Sequence, residues 1–291
     1  MRGPVKPGFL FRSCTGRPRP RLTKSLPLLA ALVAIWCLLT ACSQERSVRI
    51  RTSFIEISND ELLSPDPNRL DRYCWAFTIE YPDSIIDNEG ICHFALCDTL
   101  KSNVLRVIFG QAGDRDSSFT DEAIRCIDRF NAERRPRYGA ARDTLRGDLL
   151  YEVDVNGFVA GTWRDYVSYH IYLSEDEFGQ VREWERGYNY ALDGHRIHEA
   201  DLFRKEGWES ELSALLTDEF HKNFKTRDIP LLPSRKQDDA TRSASPVRPN
   251  GNFKFAPGGI IWMYDAGEIA EAQYGILRVT LPWSKLSNLL Q

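Results

Sequence analysis

The sequence predicts an α+β fold, with strands and helices grouped along the chain instead of alternating. Three observations carry that expectation. Tyr73, Trp75, Phe77, Ile79 and Tyr81 fall on every second residue, the period of a strand with one buried face. Cys92, Leu96, Leu100, Val104 and Ile108 recur at helical spacing up to Gly110, and Ala123, Ile127 and Phe130 do the same beyond Thr120. From Leu149 onward, short apolar stretches follow one another with turn residues between them.

The chain begins with an address. Between Met1 and Lys24 stand Arg2, Lys6, Arg12, Arg17, Arg19, Arg21 and Lys24, with no Asp or Glu. The apolar run Leu26 to Leu39 is shorter than the ~20 residues of a spanning helix and matches a secretory core. It ends in Leu39-Thr-Ala-Cys42, which resembles the lipobox of bacterial lipoproteins. That resemblance implies a signal peptide over 1–41, cleavage before Cys42, and lipid on its sulfur and amine. At about 0.8 kcal/mol per buried methylene, two or three acyl chains give a stable palmitate-type anchor. The expected location is the bacterial cell envelope, with a tether over 42–47 and the working domain outside the cytoplasm.

The domain divides into two expected halves. The first, 48–145, holds a strand from Val48 to Ile57, the strand around Trp75 and two helices, the second capped by Thr120 with Asp121 and Glu122 in its first turn. The second, 146–291, starts with Leu149, Tyr151, Val153 and Val155, passes Asn156-Gly157 and resumes from Tyr166 to Leu173. Ser174 to Glu177 reads as an acidic turn before the strand Gly187 to Leu192. Asp193-Gly194 supplies the residues of a type I′ hairpin. Asp201 is the expected cap of a helix from Leu202 that carries Trp208, Leu212, Leu215 and Leu216. Residues 226–250, with Pro230, Pro233, Pro246 and Pro249 and no periodicity, read as a mobile loop. Strands at Phe253 and Phe255, Ile260 to Tyr264 and Ile276 to Leu281 close the chain before a short helix from Pro282.

Charge narrows the partners. Seven of the 38 Lys and Arg precede Cys42 while all 41 Asp and Glu follow it, so the mature chain carries about −10. A phosphate-neutralising face is disfavoured, and nucleic acid is not an expected partner. Cys74, Cys92, Cys97 and Cys126 remain after cleavage and lipidation, an even number suited to an oxidising compartment. Four cysteines allow three pairings. At least one disulfide is expected, with Cys97 to Cys126 the pairing chosen; one bridge beside two buried thiols stays open, and zinc ranks below both because Cys92-x4-Cys97 lacks a paired CxxC. His93, His170 and His221 stand alone, and His195 and His198 fall on opposite faces of a strand. No nucleophile elbow, zinc-protease motif, phosphate loop or dinucleotide fingerprint occurs, and Asp114-Arg-Asp116 and Asp238-Asp239 read as solvated turns. No catalytic residue, cofactor or metal site is nominated.

Three segments carry a family resemblance. They are Tyr190-Ala-Leu-Asp-Gly194 followed by Asp201-Leu-Phe203; Phe253-Lys-Phe-Ala-Pro-Gly-Gly-Ile-Ile-Trp-Met-Tyr264; and Glu268-Ile-Ala270 through Gly275-Ile276 to Val279-Thr-Leu-Pro-Trp-Ser-Lys-Leu286. Together they resemble a domain of unknown function found in the extracellular part of the lysozyme-sensing anti-sigma factor RsiV and ahead of the catalytic domain in PdaC-type peptidoglycan deacetylases. Phe77-Thr-Ile-Glu-Tyr-Pro82 resembles the companion half more loosely. Family members often carry a Gly-Ala-His type segment where this chain reads Phe178-Gly-Gln-Val-Arg-Glu-Trp184, which removes a family ligand contact from the comparison. The resemblance implies a stand-alone, non-catalytic envelope module that binds or senses a ligand. Lysozyme, a strongly basic protein, is the first candidate for an acidic domain. A hydrolase acting on envelope polymers and a purely structural envelope protein are the other function classes.

Overall fold

The computed structural model describes residues 48–59, 72–110, 118–144, 150–203, 206–233 and 245–290. Five strands form a main sheet in chain order: β1 Arg49–Ser58, β2 Arg72–Ile86, β3 Leu150–Trp163, β4 Tyr166–Glu177 and β5 Gln180–Ala191. All neighbours are antiparallel except β2 and β3, which run parallel. A parallel pair needs a crossover, and helices α1 (Phe94–Phe109) and α2 (Phe119–Thr144) lie between those strands. The alternating face of β2 then has its cover. Phe77 and Ile79, with Val153, Val155, Tyr169 and Ile171, are buried against Leu96, Leu100 and Val104 of α1 and Ala123 and Ile127 of α2. The α+β class expected from the grouping of elements is the one observed.

Three more strands, β6 Phe253–Ala256, β7 Gly259–Tyr264 and β8 Leu277–Pro282, form a second antiparallel sheet. One face of it packs on helix α4 (Trp208–Phe224), so that Phe253, Phe255, Trp262, Val279 and Leu281 enclose a second core with Leu212, Leu216 and Phe220. A short helix α3 (Glu199–Leu202) precedes α4, and α5 (Trp283–Leu286) follows β8.

Several local expectations are corrected by packing. The cap of α2 is Ser118, whose Oγ accepts the Asp121 N–H at 3.2 Å. Starting the helix there brings Phe119 against Tyr81, with ring centroids 4.6 Å apart. Gly157 lies inside β3, and not at a break, because a Cβ there would stand 2.6 Å from the Tyr169 hydroxyl. β4 runs through Ser174 to Glu177, and its turn is Phe178-Gly179, both at positive φ as a type I′ hairpin needs. The Phe178 ring lies beside Tyr138 and Tyr151, contacts that offset its unusual backbone. At Asp193-Gly194 only the glycine takes positive φ, and its N–H donates to Ala191 O at 2.9 Å, which makes a type I turn ending in a left-handed glycine. Asp201 reaches back to accept the His198 N–H at 2.8 Å within α3, while α4 begins only after Gly207. The stretch read as a loop over 226–250 buries Ile229 and Leu231 near one end and Val247 near the other. There the Val247 N–H donates to Thr217 Oγ1 at 2.9 Å, and Ser213 Oγ donates to Val247 O at 2.7 Å. Residues 234–244 of that stretch lie outside the described ones.

Candidate functional site

Strand alternation gives the main sheet a second, polar face. Cross-strand pairing aligns Phe54 with Glu80, Glu56 with Thr78, Asp154 with Ser174 and Glu183, and Glu152 with Asp176. Phe158 lies opposite His170, and Tyr172 opposite Glu185. Phe54, Glu56, Glu152, Phe158 and Glu183 are exposed, and Glu80, Asp154 and Asp176 are half-buried. Arg49 and Arg51 fall on this face only at the far end of β1, beyond the Phe54 row. Burial pushes the Asp154 carboxyl upward, against the Asn156 amide that donates to it at 2.9 Å.

The second sheet covers one side of this face, along β4 and β5. It comes close enough to require glycine: a Cβ on Gly187 would lie 2.0 Å from the Phe253 carbonyl oxygen, and one on Gly161 2.9 Å from that of Phe255. Buried polar groups stitch the seam. Asn189 Nδ2 donates to Phe253 O at 2.8 Å, Phe255 N–H donates to Ser168 Oγ at 2.7 Å, and Gly187 N–H donates to Asn252 Oδ1 at 2.9 Å. Arg186 and Asp265 add a bidentate pair at 2.7 Å.

At this seam the sheets enclose charge. The Glu185 side chain is 3% exposed and accepts the forked guanidinium of Arg278 from β8, with Nε on Oε2 at 2.8 Å and Nη2 on Oε1. The His170 side chain is equally buried; its Nε2 stands 3.7 Å from Glu185 Oε1, and neither ring nitrogen has a hydrogen-bond partner. The Phe158 ring centroid is 4.7 Å from the imidazole, and the Lys254 ammonium lies 5.5 Å from the centroid of Phe158. Burial pushes Glu185 up, but the neighbouring His170 and the Arg278 fork outweigh it and hold the carboxyl down to about 2. Burial lowers His170, with the charges of Lys254 and Arg278 adding to the effect and Glu185 opposing it. Lys254 is lowered by burial as well. At neutral pH the cluster is a carboxylate–guanidinium pair, an ammonium and a neutral imidazole whose hydrogen-bonding capacity is unspent.

Residues 200–284 match the family described as "Protein of unknown function (DUF3298)". That segment contributes Lys254 and Arg278 to the seam, whereas His170 and Glu185 come from the strands before it. A solved DUF3298-family protein from Bacteroides fragilis superimposes with a TM-score of 0.57 at 16% identity, over 85% of this chain and 95% of that one. The likeness therefore extends over the main sheet as well as the matched segment. A second solved DUF3298-family protein, from Pseudomonas aeruginosa, gives a TM-score of 0.49 at 10% identity, over 84% of this chain and 95% of that one. No curated protein matches the chain.

Cys42 and the signal segment fall outside the described residues, as do Asp114, Asp116, Asp238 and Asp239. The expected Cys97–Cys126 bridge is absent: Cys92, Cys97 and Cys126 carry free thiols. Cys97 packs into the first core, while the Cys126 sulfur turns back along its own helix to within 3.9 Å of Glu122 Oε1. Cys74 is also buried, on β2. Among the described residues no three His, Cys, Asp or Glu side chains gather as a metal site, and no helix is long and apolar enough to cross a membrane. His195 pairs with Asp193 at 2.9 Å and His93 with Asp87 at 3.0 Å, both near the surface. His198 precedes α3, and His221 lies in the last turn of α4. Of the five histidines only His170 sits in the seam. Glu185, Lys254 and Arg278 were not singled out from the sequence; Gly187, at the head of the strand read over Gly187 to Leu192, was the available signal of a close approach.

Proposed function

We propose that the chain is an envelope lipoprotein, anchored through Cys42, whose folded domain is a non-catalytic binding or sensing module for a basic protein ligand. The observation that carries the reading is the polar face of the main sheet. Six carboxylates, on Glu56, Glu80, Glu152, Asp154, Asp176 and Glu183, lie across four rows that contain no Lys or Arg, with Phe54 and Phe158 exposed among them. Such a face attracts a cationic surface and offers aromatic contact once it arrives. The resemblance to the RsiV extracellular domain makes lysozyme the first ligand to try. A second reading, an envelope-polymer hydrolase, draws on Asp154, whose raised carboxyl on the same face has the character of a general acid.

The test titrates the domain with lysozyme, and separately with cytochrome c as an equally basic stranger, at 0.15 M salt, where the Debye length is about 8 Å. Lysozyme should bind more tightly than cytochrome c, and Glu56→Lys with Glu183→Lys should weaken it at least tenfold. Equal weak binding of both proteins reduces the interaction to nonspecific charge. Release of acetate or cleaved glycan from muropeptides in the same tubes gives the case to the hydrolase.

A further inference from the structure

We propose that His170 is an acid-sensitive latch on the seam between the two sheets: when it gains a proton, it draws Glu185 away from Arg278 and releases β8 from the main sheet. The geometry leaves the proton few alternatives. His170 is 97% buried, as its 3% side-chain exposure requires, and neither ring nitrogen is hydrogen-bonded. The groups facing it are Phe158 from β3, Glu185 from β5, Lys254 from β6 and Arg278 from β8, with Tyr172 farther along its own strand and donating to Glu183 at 2.9 Å. Glu80 of β2 lies beyond Phe158 and accepts the Val159 N–H at 2.8 Å. Of these, only Glu185 is an anion within 4 Å, at 3.7 Å.

A protonated imidazole must therefore compete for Glu185 Oε1, the oxygen that Arg278 Nη2 already holds. The fork becomes a shared pair, and a third cation joins Lys254 and Arg278. Such an arrangement is costly, so the seam relaxes by letting the half-exposed Arg278 turn to water. β6 has other ties, through Ser168, Asn189 and Asn252, and stays in place. The loosened part is confined to the β8 side. Because the folded state disfavours the charged imidazole, the effect is absent above the usual imidazole value of about 6.5 and grows as pH falls through the lowered folded value. Glu185 titrates near 2, so its own protonation lies in a separate, more acid window.

Two NMR signals of the intact domain test this. The His170 Cε1–Hε1 resonance should titrate below 6.5, and the Arg278 Nε–Hε peak, protected while bound to Glu185, should fade with the same midpoint. In His170→Gln the arginine peak should persist through that range. Lys254→Met, which removes a neighbouring cation and leaves every hydrogen bond of the seam intact, should move both midpoints upward together, and it serves if the histidine variant folds poorly. A His170 midpoint at or above 6.5, or an arginine peak that ignores the histidine titration, overturns the latch. So does the same acid loss in His170→Gln.

Discussion

Replacing Gly187 by alanine should separate the two sheets. The new Cβ would lie 2.0 Å from the Phe253 carbonyl oxygen and 2.6 Å from its carbon, both rigid backbone atoms. Ordinary contact begins at 3.4 Å, so β6 must retreat by about 1.4 Å. That movement takes three bonds of 2.7 to 2.9 Å, Asn189 to Phe253 O, Phe255 N–H to Ser168 and Gly187 N–H to Asn252, beyond hydrogen-bonding distance. Each left unmade in a buried seam costs about 1–3 kcal/mol, and partial repair by water lowers the sum to roughly 3–5 kcal/mol. Against a usual total of 5–15 kcal/mol, that is a large fraction. Urea unfolding of the signal-free domain, followed by tryptophan fluorescence, measures it as a fall in midpoint. Two controls bracket the result. Gly258→Ala meets nothing within 4 Å and should change stability by less than about 0.5 kcal/mol. Gly139→Ala, in the interior of α2 with open space around it, should stabilise by roughly 0.5–1 kcal/mol. If Gly187→Ala unfolds with the Gly258 control, the seam is not the tight contact described.

Cys42→Ser should abolish incorporation of labelled palmitate and leave the protein unanchored or uncleaved; labelling that persists refutes the lipoprotein reading. Acid unfolding should show the Glu185 pair as a stability loss between pH 4.5, its ordinary value, and about 2, its value when folded. The carboxylate is favoured in the folded state, so its contribution is present above 4.5 and disappears as pH falls, by about 3 kcal/mol in all. Glu185→Gln, already lacking that contribution, should show a shallower acid slope over the same window, and an unchanged slope refutes the pairing.

The elements that sequence periodicity marked most strongly are those whose neighbours do not alter the pattern. Tyr73 to Tyr81 and Leu96 to Ile108 each bury one face against a layer that follows shortly in the chain, so local spacing and final burial coincide. Departures occur where a distant residue decides the local shape. Gly157 resembled a break, but it is small because Tyr169 reaches across it to donate its hydroxyl to Glu80 O at 2.5 Å. Phe178 is a poor residue for positive φ, and it turns there because Tyr138 and Tyr151 hold its ring. Val247 sits in a proline-rich, charged stretch that has no period, and it is buried because Ser213 and Thr217 on α4 satisfy its backbone.

The seam was the least legible part, for the same reason carried further. Its charged residues stand at 170, 185, 254 and 278, on four strands of two sheets, and each one alone has an ordinary explanation as a polar residue on a strand. Glu185 and Arg278 become a pair only through the close approach at Gly187. His170 acquires meaning only when Glu185, on β5 two residues before the cross-strand partner Gly187, is already committed to Arg278. The spacing that makes this chemistry is set by the distance between two sheets, which no run of neighbouring residues records. It follows that the contact between the sheets, and not either sheet by itself, is the unit on which substitutions should be judged. A change at Gly187, His170 or Arg278 alters the position of β8 over the polar face, whereas a change of equal size at Glu56 alters only the charge of the face.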